Sequence, residues 1–157
     1  MEIKPIKSNF PGVKQLLDEL DALMHELYPM EECNPLMPIS AIDADNVYFV
    51  GLFVDQALVG CGAVAFKSDD GEYAEIKRVF ISASHRGRGL AKALLQHLVE
   101  HAERSGSDII RLEVGDEQPE ALRLYQTFGF ERRSLYGQYK YDPYSVYMER
   151  KTQNRRH

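Results

Sequence analysis

Apolar residues at Leu16, Leu17, Leu20, Leu23, Met24 and Leu27 recur at helical spacing and predict a helix from about Phe10 to Leu27, behind a short strand at Glu2–Ile6. The pattern then breaks. Pro29, Pro35 and Pro38 within YPMEECNPLMPIS forbid regular helix or strand, which makes Tyr28–Ser40 a loop. Val47–Val54 and Leu58–Phe66 are almost continuously apolar, as strands buried on both faces are. The pair Asp55-Gln56 between them is short enough to close a hairpin. A turn at Ser68–Gly71 leads into a further strand, Tyr73–Ile81.

The helical period returns at Gly89. Leu90, Leu94, Leu98 and Ala102 repeat every fourth residue beside Ala91, Leu95 and Val99, so a helix runs to about Arg104 with Gly106 as its cap. Ile109–Val114 reads as a strand, and QPEALRLYQTFGF (118–130) as a short helix with Pro119 near its first turn. Phe130–Tyr136 and Ser145–Arg150 read as final strands around the Asp142-Pro143 turn. The order β-α-β-β-β-α-β-α-β-β predicts an α/β fold with a mixed, mostly antiparallel central sheet flanked by helices.

A chain of 157 residues, 44% hydrophobic and 27% charged, suits one domain over residues 1–151 with a polar tail at 152–157. The net charge of -5 argues against a general nucleic-acid binder. Cys33 and Cys61 offer neither metal spacing nor a disulfide framework, and free thiols point to the cytoplasm. No apolar signal-like core begins the chain, and the apolar run Val47–Phe66 is broken by Asp55-Gln56, so no membrane partner is expected. Charge is unevenly spread. Gln15–Phe66 carries nine acidic residues and no Lys or Arg, whereas Glu131–His157 carries seven Lys/Arg against three acids. Two readings stay open, a solvated surface or an acidic face that receives a cationic partner.

The stretch SHRGRGLAK (84–92) places two glycines and four potential cations where a strand meets a helix, the composition of a phosphate cradle. A P-loop fails, because Ala91 stands before Lys92 and Ala93 after it. A dinucleotide fingerprint starting at Gly87 fails at Lys92, its sixth position. The spacing R/Q-x-x-G-x-G/A is met by Arg86, Gly89 and Ala91. Here the chain resembles the GNAT superfamily of acetyl-CoA-dependent N-acetyltransferases, small single-domain bacterial type. A second block, Gln118–Phe130, matches the superfamily pattern N-x-x-A-x-x-L-Y-x-x-x-G-F at Ala121, Leu124, Tyr125, Gly129 and Phe130, with Gln118 in place of Asn. The resemblance covers most of the chain in element order and is strongest over Glu75–Gly106 and Gln118–Phe130.

The resemblance implies acetyl-CoA as cosubstrate and no metal. It implies that backbone amides of Arg86, Gly87, Arg88, Gly89, Leu90 and Ala91 hold the pyrophosphate, with Arg86, Arg88 and Lys92 supplementing them or reaching the 3′-phosphate. Val79, Phe80 and Ile81 would lie on a bulged strand that pairs with pantetheine, an N–H near Phe80 facing the oxyanion, and Gln118 would supply a further hydrogen bond. Tyr125 is implied as general acid to the departing thiolate. The base is Glu75, Glu113 on the neighbouring strand, or a water relay; for Glu75 a salt bridge with Lys77 or Arg111 is the competing role. The acceptor pocket is implied to come from the loop after the first helix and the last strands, with Glu31, Glu32, Asn34 and Tyr139 as substrate-binding residues. The expected acceptor is a small-molecule primary amine, amino-acid-like or polyamine-like. A non-catalytic acyl-CoA-binding module and a protein N-terminal or lysine acetyltransferase stand as alternatives, and family analogy is compatible with a homodimer. His97 and His101, four apart, are read as a solvated helix face rather than a metal site.

Overall fold

The computed structural model describes residues 1–152. Its strands are β1 (Glu2–Pro5), β2 (Val47–Val54), β3 (Ala57–Lys67), β4 (Tyr73–Ile81), β5 (Ile109–Gly115), β6 (Glu131–Arg133) and β7 (Ser145–Lys151). They form one sheet in the order β1-β2-β3-β4-β5-β7-β6. Only β4 and β5 run parallel; the remaining neighbours are antiparallel. The hairpin between β2 and β3 closes through Asp55 (φ 49°) and Gln56 (φ 69°), two left-handed residues as a type I′ turn requires. The strand expected over Phe130–Tyr136 is confined to Glu131–Arg133, because the chain from Ser134 leaves the sheet edge and folds over one face. The polar tail expected at 152–157 lies, from residue 153 onward, outside the described residues.

Three helices sandwich the sheet: α1 (Val13–Leu27), α2 (Leu90–Arg104) and α3 (Pro119–Thr127). The apolar stripe of α1, Val13, Leu16, Leu17, Leu20 and Met24, packs on Phe49, Cys61, Ala63 and Phe80. The stripe of α2, Leu94, Leu95, Leu98, Val99 and Ala102, packs on the opposite face with Val50, Leu52, Ile76, Ile110, Leu112 and Met148. Among the described residues no helix is long and apolar enough to cross a membrane. The proline-rich loop contains two single-turn 3₁₀ helices, Met30–Glu32 and Ile39–Ala41, too short for the prolines to disrupt.

His97 and His101 correct the expectation of a fully solvated face. Tyr48 of β2 stacks on His101 with ring centroids 3.5 Å apart and bonds through its hydroxyl to His97 Nε2 at 2.9 Å. The single residue Tyr48 covers both rings, and that contact across 49 residues has no signature in the helical pattern.

Two irregularities prepare the site. Along β3 the register advances two residues, Cys61 to Ala63, while β4 advances three, Phe80 to Lys77, so β4 carries a bulge around Arg78. Arg78 itself is left-handed, at φ 56°. Pairing between β4 and β5 covers only Ala74↔Ile110, Glu75↔Arg111 and Ile76↔Leu112. Beyond Ile76 the two strands separate, and their backbones face each other across a cleft.

Candidate active site

The cleft between the diverging strands opens into a pocket of about 120 Å³ whose lining includes Lys77, Val79, Glu113, Gln118, Tyr125 and Ser145. Met24 of α1 and Tyr28, the residue that follows the helix, close it from one side, and the loop Cys33–Met37 from above. Gly115 permits the closure: a Cβ there would stand 2.1 Å from the Tyr28 hydroxyl, which accepts a hydrogen bond from the Glu117 amide at 2.9 Å.

Glu113 is half-buried in this pocket and accepts a 2.7 Å hydrogen bond from the Ser145 hydroxyl. Burial pushes its carboxyl above the ordinary glutamate value, against the opposing pull of Ser145 and Lys77. Tyr125 lines the same pocket, its ring edge-on to Phe130, and burial, aided by the Glu113 charge, raises its phenol to about 12. Gln118 stands at the N-cap position of α3, without a side-chain capping bond, and also lines the pocket.

Glu75 is placed elsewhere. Its side chain is wholly buried and borders neither this pocket nor the second one described below. Tyr136 and Tyr139 donate hydrogen bonds of 2.6 and 2.7 Å to its Oε2, and Lys67 Nζ lies 2.9 Å from Oε1. Burial alone would raise this carboxyl, but Lys77, the two tyrosine hydroxyls and Lys67 outweigh it and hold it below the ordinary range. Arg111, the other salt-bridge partner considered from sequence, turns instead to Glu149 at 2.7 Å, its guanidinium between the rings of Tyr73 and Tyr136. Glu75 is therefore a locked internal carboxylate, out of reach of a molecule in the first pocket.

The cradle sits where β4 gives way to α2. Gly87 and Gly89 are left-handed, at φ 79° and 74°, and a Cβ on either would meet no protein atom within 4 Å. Gly89 is the N-cap of α2, no side chain caps that end, and no acidic residue occupies its first turn. Amides of Leu90 and Ala91 at an uncapped helix start are a ready site for an anion. Arg88 precedes Gly89, while Arg86 turns back, its Nε donating to the Ile81 carbonyl at 3.2 Å with its guanidinium 5.3 Å from the Phe80 ring centroid. Its side chain braces the end of β4. Of the three residues after the bulge, Val79 lines the pocket, whereas Phe80 and Ile81 turn their side chains into the two cores. Any contact those two make with a ligand is through backbone.

The acceptor candidates separate. Asn34 lies on the loop that closes the pocket, and its amide nitrogen donates to the Lys140 carbonyl at 2.7 Å and to Asp142 Oδ2 at 2.9 Å. Tyr139 donates to Glu75 and accepts from Lys77 Nζ at 2.6 Å. Glu31 and Glu32 are exposed on a 3₁₀ turn and line neither pocket, because that turn projects the first acids of the loop outward; Glu32 reaches only the Tyr144 hydroxyl, at 3.4 Å. Three residues that the sequence did not assign to the site line it, and a fourth, Asp142, braces it. Lys77 and Arg78 come from the bulged strand, and Ser145 and Asp142 from the β7 turn, with the Ser145 hydroxyl also 2.8 Å from Asp142 Oδ2. The alternation of β4 around Glu75 places Lys77 on the same face, a signal that the sequence did contain.

The chain matches the profile of the Acetyltransferase (GNAT) family over residues 13–130. It is 34% identical over 139 residues to a protein of Azospirillum brasilense named IAA acetyltransferase, covering 88% of this chain and 90% of that one. A solved structure from Klebsiella pneumoniae, assigned as an acyl-CoA N-acyltransferase, superposes with a TM-score of 0.77 at 30% identity over 96% of both chains. The PaiA N-acetyltransferase of Thermoplasma acidophilum, solved in complex with coenzyme A, shares the fold with a TM-score of 0.71 at 17% identity over 96% of this chain and 98% of that one.

Proposed function

This chain belongs to the GNAT family of acetyltransferases and is an acyltransferase; from that premise we propose that it transfers the acetyl group of acetyl-CoA to the primary amine of a small molecule. The observation that carries the reading is the convergence of three features on one cleft. These are the stretch of β4 beyond Ile76 that no longer pairs with β5, the uncapped start of α2 that follows it, and the pocket-lining pair Glu113 and Tyr125.

The cleft fits acetyl-CoA on the chain's own geometry. Left-handed Gly87 and Gly89 keep the approach to the α2 amides free of Cβ atoms, as close contact with a pyrophosphate requires. The separated strands expose β4 backbone to an extended pantetheine arm, the pairing by which an added strand is recognised. When bound, the cosubstrate supplies a thioester carbonyl carbon open to attack.

Glu113 accepts the proton of the incoming amine. A free alkylamine with a pKa near 10 is mostly protonated at neutral pH, and a carboxyl raised by burial narrows the gap between donor and acceptor. Ser145 orients the Glu113 carboxylate. The amine nitrogen bonds to the acetyl carbon, the carbon–sulfur bond breaks, and the electron pair departs on sulfur. Backbone N–H groups at the β4 bulge, near Phe80, face the charge that develops on the carbonyl oxygen. Tyr125 donates to the departing sulfur. Its phenol, at about 12, lies above an ordinary thiol near 8.5, so it serves first as a hydrogen-bond donor and hands over a proton only as solvent replaces it.

The test is CoA release from acetyl-CoA across a panel of primary amines, with Tyr125→Phe alongside. Amine-dependent release, lowered about 10- to 100-fold in kcat by Tyr125→Phe, supports the reading. Acetyl-CoA binding without amine-dependent release from any member of the panel overturns it and makes the chain an acyl-CoA-binding module.

A further inference from the structure

Behind the loop that closes the first pocket lies a second of about 360 Å³. The segment Asn34–Met37 lines both, as a strap between them, and so does Lys77 on the floor. The strap is fixed. Asn34 is tied to Lys140 and Asp142, and the Met37 carbonyl accepts from Arg78 Nε at 3.0 Å. The second pocket has small apolar walls, including Pro38, Ala41, Ala44 and Ala65, and a polar floor of Lys67, Lys77 and Tyr139.

The charge on that floor does not balance. Two ammonium groups, Lys67 and Lys77, face one carboxylate, Glu75, at 2.9 and 4.0 Å. Lys77 retains 15% side-chain exposure and Lys67 30%, whereas Glu75 has none, so the uncompensated positive charge is the part turned toward the pocket. On the other side of the strap the first pocket holds a carboxylate of its own, Glu113, and the Arg78 guanidinium there is already paired with Asp21. Burial also pulls Lys77 below the ordinary lysine value, and an anion entering beside it would offset that cost.

Resting on the acetyltransferase reading above, we propose that the second pocket is an anion subsite for the acceptor. The acceptor is then an amino acid in the broad sense. Its amine lies at Glu113, a short apolar segment passes beneath the Asn34–Met37 strap, and its carboxylate lies against Lys67 and Lys77. A polyamine, with a cation at its far end, meets the wrong sign there. The acidic stretch of the loop does not oppose this, since Glu31 and Glu32 line neither pocket.

The experiment compares ω-amino acids, from glycine to 6-aminohexanoate, with n-alkylamines and α,ω-diamines of matching chain length. Two readouts are taken: kcat/KM for CoA release, and calorimetric binding of the same compounds to the CoA-loaded protein. At the best-fitting length the carboxylate compound is expected to exceed its alkylamine by about tenfold or more in both, the value of a charge-assisted contact to a half-buried ammonium. The ratio is expected to collapse toward unity in Lys67→Met, which leaves Lys77 and Glu75 as a balanced pair, with acetyl-CoA binding reporting that the fold is intact. Alkylamines or diamines that equal or exceed the carboxylates at every length overturn the subsite, as does a preference that survives Lys67→Met. If no compound is turned over, the acetyltransferase reading fails, while the calorimetric ratio still decides the subsite: carboxylate-dependent binding supports it, and its absence overturns it.

Discussion

Arg78, left-handed at the bulge of β4, reaches 2.5 Å to Asp21 on α1 and simultaneously donates to the Met37 carbonyl on the strap. One side chain thus holds together the bulged strand, the first helix and the loop that roofs the site. Its guanidinium is nearly buried at 6% exposure, while Asp21 keeps 37%.

Replacing Arg78 with Met should release the strap. Lost hydrogen bonds to a charged group at a largely buried position cost about 1–3 kcal/mol, a fall of several degrees in Tm for a chain of this size. The KM for the amine should rise more than the KM for acetyl-CoA, because the strap roofs the acceptor side. Unchanged melting and an unchanged acceptor KM would refute this role.

Glu113 and Glu75 should separate cleanly by pH. Glu113 has a raised carboxyl, so the acidic limb of kcat/KM belongs to it; Glu113→Gln should abolish that limb and lower kcat/KM about 10²- to 10⁴-fold. The same shift destabilises the fold as pH rises from the ordinary glutamate value through the raised one, because the native state there binds more protons than the unfolded chain. Glu113→Gln should therefore raise Tm at neutral pH while disabling the enzyme. Glu75 has the opposite sign. Its contribution is present above the ordinary value and lost as pH falls through the depressed one. Glu75→Gln should keep the acidic limb but cost about 3 kcal/mol, since it leaves two half-buried lysines without their shared carboxylate. Loss of the limb in Glu75→Gln would return that residue to the role of base.

Gly89→Ala separates fold from ligand. A Cβ meets no protein atom there, so stability should fall only by the left-handed penalty of about 1–2 kcal/mol. The KM for acetyl-CoA should rise about tenfold or more, the value of one charge-assisted hydrogen bond to the anion. Equal KM values in wild type and variant would remove the cradle from CoA binding.

His97 and His101 should make the fold acid-sensitive. Burial, then the neighbouring Arg104, depresses both imidazoles, so the native state binds fewer protons than the unfolded chain below about pH 6.5. Stability should fall as pH drops below that value. The double variant His97→Gln/His101→Phe, which keeps a ring against Tyr48, should flatten the slope of Tm between about pH 5 and 6.5; an unaltered slope counts against the histidines.

Much of this molecule is legible along the chain, because its causes are local. Helical and strand periods come from which side each residue turns to the core. Asp55-Gln56 suits a two-residue turn, and the glycines at 87 and 89 announce a left-handed, closely approached backbone ahead of α2. The pairing of Tyr125 with the family pattern is likewise a matter of spacing within one helix.

The assignment of carboxylates was not legible in that way. Glu75 and Glu113 occupy adjacent parallel strands and look equivalent in sequence. Only the bulge at Arg78 and the separation of β4 from β5 decide which of them opens to the cleft, and only the return of Tyr136 and Tyr139, more than 60 residues away, buries the other. The same return fold brings Lys67 and Lys77 around a single carboxylate and creates a sign of charge opposite to that of the acidic loop above it. Local pattern is written residue by residue, because each side chain either meets water or does not. Protonation, accessibility and the charge of a pocket depend on groups brought together from distant strands, and those arise only when the sheet has closed.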